Sequence, residues 1–169
     1  MKANPVVSAS IDINAPIDIV WSVMLDLRRY HEWNPFIVDV ENAPDSPHAG
    51  SRFCLKVRWA NGKTVRSWET LSQLSPPATT DDTRYSALLA YGYSSWLART
   101  GIVIATRNQF LTQEQGQPTN YRTEESFHGL LARFVPLQNV QDGFQRHALA
   151  LKQRAEALAA AAALVTNTV

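Results

Sequence analysis

The feature that most constrains this chain is a stripe near its C-terminal end. Leu137, Phe144, Leu151, Leu158 and Val165 recur every seven residues. Ala148, Ala155 and Ala162 follow three of them by four residues and widen the stripe. This spacing lines one face of an α-helix with apolar side chains. Arg146, Gln153, Arg154 and Glu156 fall on the other side, towards water. A helix edged with alanine either packs close against a sheet or leaves space beside it. The expectation is a curved sheet around a helix over 137–165, with the gap between them as the working site.

The upstream chain supplies that sheet. Residues 6–13 are rich in β-branched side chains and read as a first strand. Asn14-Ala15-Pro16 reads as a helix start, with Asn14 as cap, Pro16 tolerated in the first turn and Asp18 near the positive end. Ile17, Val20, Trp21, Met24 and Leu27 then follow at helical spacing, and Pro35 ends a second short helix around 29–33. Strands are expected at 37–41, 52–60, 84–90, 102–112 and 120–128. The facing of 84–90 stays open, because Tyr85, Leu88 and Leu89 fall on both sides. Pro76-Pro77 and Asp81-Asp82 read as bracketing a loop, and 91–101 as a long connection carrying Tyr93 and Trp96. Asn61-Gly62 is the strongest hairpin signal, since both turn positions favour positive φ. A two-residue turn there sets Trp59 opposite Thr64, Val57 opposite Arg66 and Leu55 opposite Trp68. Arg66 then lies on the mostly apolar face; a one-residue bulge returns it to solvent.

Composition narrows the function. The chain has 169 residues, 45% hydrophobic and 18% charged, with a formal net charge of +1. That suits one globular domain, 1–169, with its own core. No basic run points to nucleic acid or a membrane surface, and no apolar tract is long enough to span a bilayer. The N-terminal stretch lacks the apolar core of a signal peptide, and a single cysteine, Cys54, allows no internal disulfide, so a cytoplasmic protein is expected. There is no phosphate-cradling glycine loop, dinucleotide fingerprint, HExxH or nucleophile elbow. His31, His48, His128 and His147 lack metal-ligand spacing, so neither a metal nor a cofactor is expected.

Asn14-Ala15-Pro16, Val20-Trp21, Asp26-Leu27, Tyr30 and above all Trp33-Asn34-Pro35-Phe36 resemble the opening of the helix-grip proteins. This is the START-like, or SRPBCC, superfamily, in its polyketide cyclase/dehydrase and lipid-transport branch. The resemblance continues at Phe110-Leu111, at residues 125–129 and in the amphipathic last helix, so it covers nearly the whole chain. It implies an α+β, birch-pollen-allergen-like fold: a seven-stranded antiparallel sheet wrapped around a long C-terminal helix, with two short helices after the first strand. It also implies an internal cavity for hydrophobic or amphipathic molecules. Members include carriers, receptors, aromatase/cyclases and chaperone co-activators, and fold alone does not choose among them.

Within that frame Glu125 is the first candidate. Alternation sets it inward between Thr123 and Phe127, where desolvation raises a carboxyl's pKa unless a partner opposes it. It reads as a ligand anchor or general acid, or as a glutamate bonded to backbone or a neighbouring arginine. Arg66 is its natural partner in the two-residue register. Asn108 is weighed above Arg107 for a cavity-facing role, because a neutral side chain costs less to bury. His147 flanks the helical stripe; facing the cavity near Glu125 it makes an acid/base pair, and otherwise it is a partly exposed packing residue. Trp59, Trp68, Tyr85, Tyr91, Tyr121, Phe53, Phe110, Phe127 and Phe144 are candidate walls, or plain core. Trp33, Asn34, Pro35, Tyr30 and Asp26 read as structural.

Three functions follow. The first is a binding or carrier protein, monomer or homodimer, for a hydrophobic or aromatic small molecule. The second is a cyclase or dehydratase without metal or nucleotide, with Glu125 and His147 or Tyr121 as acid and base. The third is a protein-interaction module.

Overall fold

The computed structural model describes residues 5–94, 102, 104–130 and 132–166. β1 (Val6–Ile13) leads into α1 (Ile17–Leu25), a 3-10 turn and α2 (Tyr30–Trp33). β2 (Ile37–Glu41), β3 (Arg52–Arg58), β4 (Thr64–Asp81), β5 (Arg84–Tyr93), β6 (Ile104–Glu114) and β7 (Thr119–His128) follow, and α3 (Leu137–Thr166) closes the chain. The strands form one seven-stranded antiparallel sheet in the order β1-β7-β6-β5-β4-β3-β2. Its inner face and α3 share one core, which includes Val7, Phe53, Leu71, Leu89, Leu111 and Tyr121.

α3 grips through Val140, Phe144, His147, Ala148, Leu151 and Ala155, all at most 6% exposed. The two alanines bring the helix axis close to β1 and α1. Beyond Ala155 the stripe leaves the body, with Leu158 at 40% and Val165 at 70% exposure. Gly143 lets α3 pass close to Phe36: a Cβ there would lie 2.2 Å from the Phe36 ring.

The Trp33-to-Phe36 stretch acts as a latch. Pro35 stops α2 and leaves Asn34 extended, at φ −95° and ψ 110°. Asn34 Oδ1 accepts the backbone N–H groups of Phe36 (3.0 Å) and Ile37 (2.9 Å). Its Nδ2 donates to His147 Nδ1 at 2.8 Å, tying the start of β2 to α3. Arg146 tightens the same join, donating to the carbonyls of Pro35 (2.9 Å) and Arg58 (3.1 Å).

Four local expectations are corrected. Asn14 does not cap α1; its backbone N–H donates to Glu156, and the Ile17 N–H finds Gln113 Oε1 at 3.0 Å. Residues 76–82 are not one loop, because β4 runs through Pro76-Pro77 to Asp81. The prolines fall in a register shift between Ser75 and Ala78, where no ladder donor is needed. β5 extends to Tyr93 instead of ending at Ala90, while Trp96 lies outside the described residues.

The fourth concerns the Asn61-Gly62 hairpin. Trp59 N–H bonds to Lys63 O, Gly62 N–H bonds to Trp59 O, and Gly62 has φ +80°. This is a three-residue loop, a turn followed by a left-handed glycine, and not the two-residue turn. The register moves by one: Val57 faces Val65, Leu55 faces Ser67 and Cys54 faces Trp68. A slip of one residue exchanges the two faces of a strand. Arg66 and Trp68 therefore turn outward, and Glu69 turns in.

Candidate functional site

A cavity of about 290 Å³ lies between the inner face of the sheet and the first half of α3. Its body is apolar, made by Ile37, Leu55, Val57, Trp59, Phe127 and Val140 among others. Ala105 and Phe144 complete that wall, and Val135 and Pro136 enter it from the segment before α3. Polar side chains gather at one place: Ser67 and Glu69 on β4, Tyr91 on β5, Arg107 on β6 and Glu125 on β7.

Arg107 anchors the cluster and is 3% exposed. Its Nε donates to Thr123 Oγ1 at 2.9 Å, and its terminal nitrogens donate to the hydroxyls of Tyr91 (3.1 Å) and Tyr121 (3.5 Å). The guanidinium carbon sits 4.1 Å from the centre of the Phe144 ring, a cation–π contact. Burial opposes the charge, but Tyr91, Tyr121 and Glu125 outweigh it and hold the pKa above the ordinary arginine value.

Glu69 is 7% exposed and accepts the Ser67 hydroxyl at 2.6 Å. Burial, helped by the nearby Glu125 and opposed by that hydrogen bond, pushes its pKa from 4.5 to about 8. Glu125 sits directly across the ladder from Arg107. Burial raises its pKa to about 7, although the Arg107 charge works the other way. The site thus holds one permanent cation and two carboxyls that titrate near neutrality.

The inward placement expected for Glu125, Phe127, Phe144 and Trp59 matches the cavity wall. Several other candidates lie elsewhere. Asn108 and Phe110 belong to the outer face of β6, since burial alternates through Ala105, Arg107, Gln109 and Leu111. Arg122 covers the outer side of Phe110. The Arg66 guanidinium is bonded to Glu41 at 2.7 Å, outside the chamber, although the residue contributes to its wall. Trp68 is 40% exposed beneath Arg52. Tyr85 is 41% exposed, six residues along β5 from Tyr91.

His147 and Tyr121 are fully buried, at 0% exposure, and neither lines the cavity. Their rings stack at 6.0 Å. The Asn34 bond makes His147 Nδ1 an acceptor, and burial lowers its pKa well below the usual imidazole range. His147 is thus a neutral core histidine, neither a cavity-facing base nor a partly exposed packing residue. Tyr121 donates to Gln109 Oε1 at 2.7 Å. Tyr91, a candidate wall, does line the chamber, whereas Glu69 and Arg107 are polar site residues that sequence reasoning did not select. Among the described residues no group of three His, Cys, Asp or Glu could hold a metal ion.

A sheet wrapped round a long helix, with a chamber between them, defines the helix-grip class. The chain belongs to the polyketide cyclase / dehydrase and lipid transport family, whose model matches residues 4–164. Among solved structures it is similar to the Zhui aromatase/cyclase of a Streptomyces strain (TM-score 0.67, 16% identity, 91% of this chain and 94% of that one). It is also similar to Ara h 8.0201 (TM-score 0.58, 13% identity, 94% and 99%). A third likeness is a hypothetical protein of Helicobacter pylori (TM-score 0.65, 12% identity, 90% and 88%). These likenesses carry the fold alone. No match was found among curated proteins. Among the described residues no helix is long and apolar enough to cross a membrane.

Proposed function

We propose that the protein binds or carries a hydrophobic or amphipathic small molecule, lipid- or polyketide-like, in the chamber between sheet and α3. The observation that carries this reading is the shape of the chamber's chemistry: an apolar body of about 290 Å³ with one polar cluster, Glu69, Arg107 and Glu125. Small-molecule sites combine a mostly apolar wall with a few convergent polar groups in this way, at volumes of roughly 300–1,000 Å³.

A second reading has its own support. Two carboxyls titrating at about 7 and about 8 beside a fixed guanidinium suit proton transfer on the bound molecule. A cyclase- or dehydratase-type reaction would then use Glu69 and Glu125, in place of Glu125 with His147 or Tyr121.

Native mass spectrometry of protein purified from its own host tests occupancy, with displacement of an environment-sensitive fluorophore as a second readout. Ala105→Phe, which projects a ring into the chamber, should abolish uptake while circular dichroism stays unchanged. Asn108→Ala on the outer face should not. Uptake that survives Ala105→Phe would refute the chamber as the site. Glu125→Gln separates the readings: a carrier keeps its ligand, and an enzyme using that acid keeps binding but loses turnover.

A further inference from the structure

Arg107 is a buried cation whose contacts are all neutral. Thr123, Tyr91 and Tyr121 accept from it, and Phe144 covers one face. Among the described residues no carboxylate oxygen lies within the 4.0 Å of an ion pair, although Glu125 is its cross-strand neighbour. A guanidinium has five N–H donors, and these contacts occupy three. One N–H is left on each terminal nitrogen, and a guanidinium with two such free donors can hold a carboxylate. Burying a cation without a counter-ion is costly, and Arg107 lines the chamber. The geometry therefore leaves a place for an anionic oxygen pair at the polar end.

Whether that place is electrostatically open depends on the groups around it. Tyr91 on β5, Tyr121 on β7 and Tyr30 on α2 face Arg107, and burial raises all three pKa values. Cys54 on β3, near Glu69, is raised too, and His147 on α3 is lowered. All of these stay neutral at physiological pH. Only Glu69 on β4 and Glu125 on β7 titrate there. With both ionised the cluster is net negative and repels an anion; with both protonated it is net positive.

We propose that the chamber selects an amphiphile with a single carboxylate head, which seats on Arg107 while the facing carboxyls Glu69 and Glu125 take up protons from solvent. This rests on the ligand-binding reading above and names its ligand class. The head brings the counter-charge that Arg107 lacks, and the protons remove the competing negative charge. The ring or chain of the ligand fills the apolar body.

The test uses 2-naphthoate, ionised throughout the pH range, and 2-naphthamide, which has the same ring system and no charge. Titration calorimetry at pH 6 and pH 8 should show naphthoate at least tenfold tighter than the amide at pH 6. Carboxyls titrating at about 7 and about 8 leave the competent, doubly protonated form about twentyfold rarer at pH 8, so naphthoate should weaken by that factor. At pH 7.5, heats measured in phosphate and in Tris should differ by the uptake of about one proton per ligand. The Glu69→Gln/Glu125→Gln double variant keeps both facing side chains uncharged, so the cluster stays net positive, and it should bind naphthoate without pH dependence or proton uptake. Amide binding as tight as naphthoate, or a pH-independent wild type, would overturn the carboxylate proposal and leave the ligand-binding reading standing. Failure of both compounds, with no fluorophore displaced from the chamber, would overturn both.

Discussion

Replacing Glu69 by glutamine should stabilise the protein at alkaline pH and change little in acid. The carboxyl is 7% exposed, and burial raises its pKa from 4.5 to about 8. Between those values the unfolded chain has lost the proton and the folded chain keeps it. The folded state therefore binds more protons, and its stability falls as pH rises, by about 1.4 kcal/mol per pH unit for one group. The loss ends once the folded carboxyl also ionises, after a total of a few kcal/mol. Glutamine never ionises, and its side-chain oxygen still accepts the Ser67 hydroxyl that lies 2.6 Å from Glu69. Variant and wild type should thus be close at pH 5, with the variant ahead by about 2–4 kcal/mol at pH 9. Urea unfolding followed by tryptophan fluorescence at pH 5, 7 and 9 measures the difference. Glu125 titrates in both proteins and largely cancels from the comparison. A difference that stays constant from pH 5 to pH 9 would refute the burial and the neutral state of Glu69.

Three further predictions address the packing. Gly143→Ala gains about 1 kcal/mol of helix propensity but drives a methyl into the Phe36 ring, 2.2 Å from the added carbon. Overpacking of this kind costs about 1–3 kcal/mol, so the melting temperature should fall; a rise would disprove the close approach. Asn34→Ala strands two buried backbone donors and the acceptor on His147, a loss of about 2–4 kcal/mol in denaturant titration. A loss under 1 kcal/mol would mean the latch is not made. Leu151→Ala, at 0% exposure, should cost about 2–5 kcal/mol, whereas Leu158→Ala, already half outside, should cost less than 1 kcal/mol. Equal costs would show that the sheet grips the helix along its whole length.

The elements themselves were legible because their signals are local. The bounds of β1, β2 and α3 follow from alternation, from Pro35 and from the seven-residue stripe, each within one stretch of chain. Which face a residue occupies across a hairpin is not local. Asn61-Gly62 marked the turn correctly, but the turn takes in Ala60 as a third loop residue, and Gly62 absorbs the difference at φ +80°. That one residue moved Arg66 and Trp68 out and brought Glu69 in. The exchange accounts for both misplaced wall candidates on β4 and for the acid that sequence reasoning passed over.

Arg107 was hidden by a rule applied one residue at a time. On β6 the two faces carry similar apolar content, and the lower burial cost of a neutral amide favoured Asn108. The argument that decides the matter joins two strands. An inward Glu125 needs a cation or a proton, and a cation facing it must come from the opposed position on a neighbouring strand. On β6 that position is Arg107, the direct ladder partner of Glu125. Once Arg107 is inward it needs acceptors. Tyr121 and Thr123 on β7 and Tyr91 on β5 supply them because they stand on the same inner face of flanking strands. The costs of burial that argue against each of these groups singly are offset when they are buried together. A polar cluster inside an apolar chamber is therefore read from the requirements its members place on one another across the sheet.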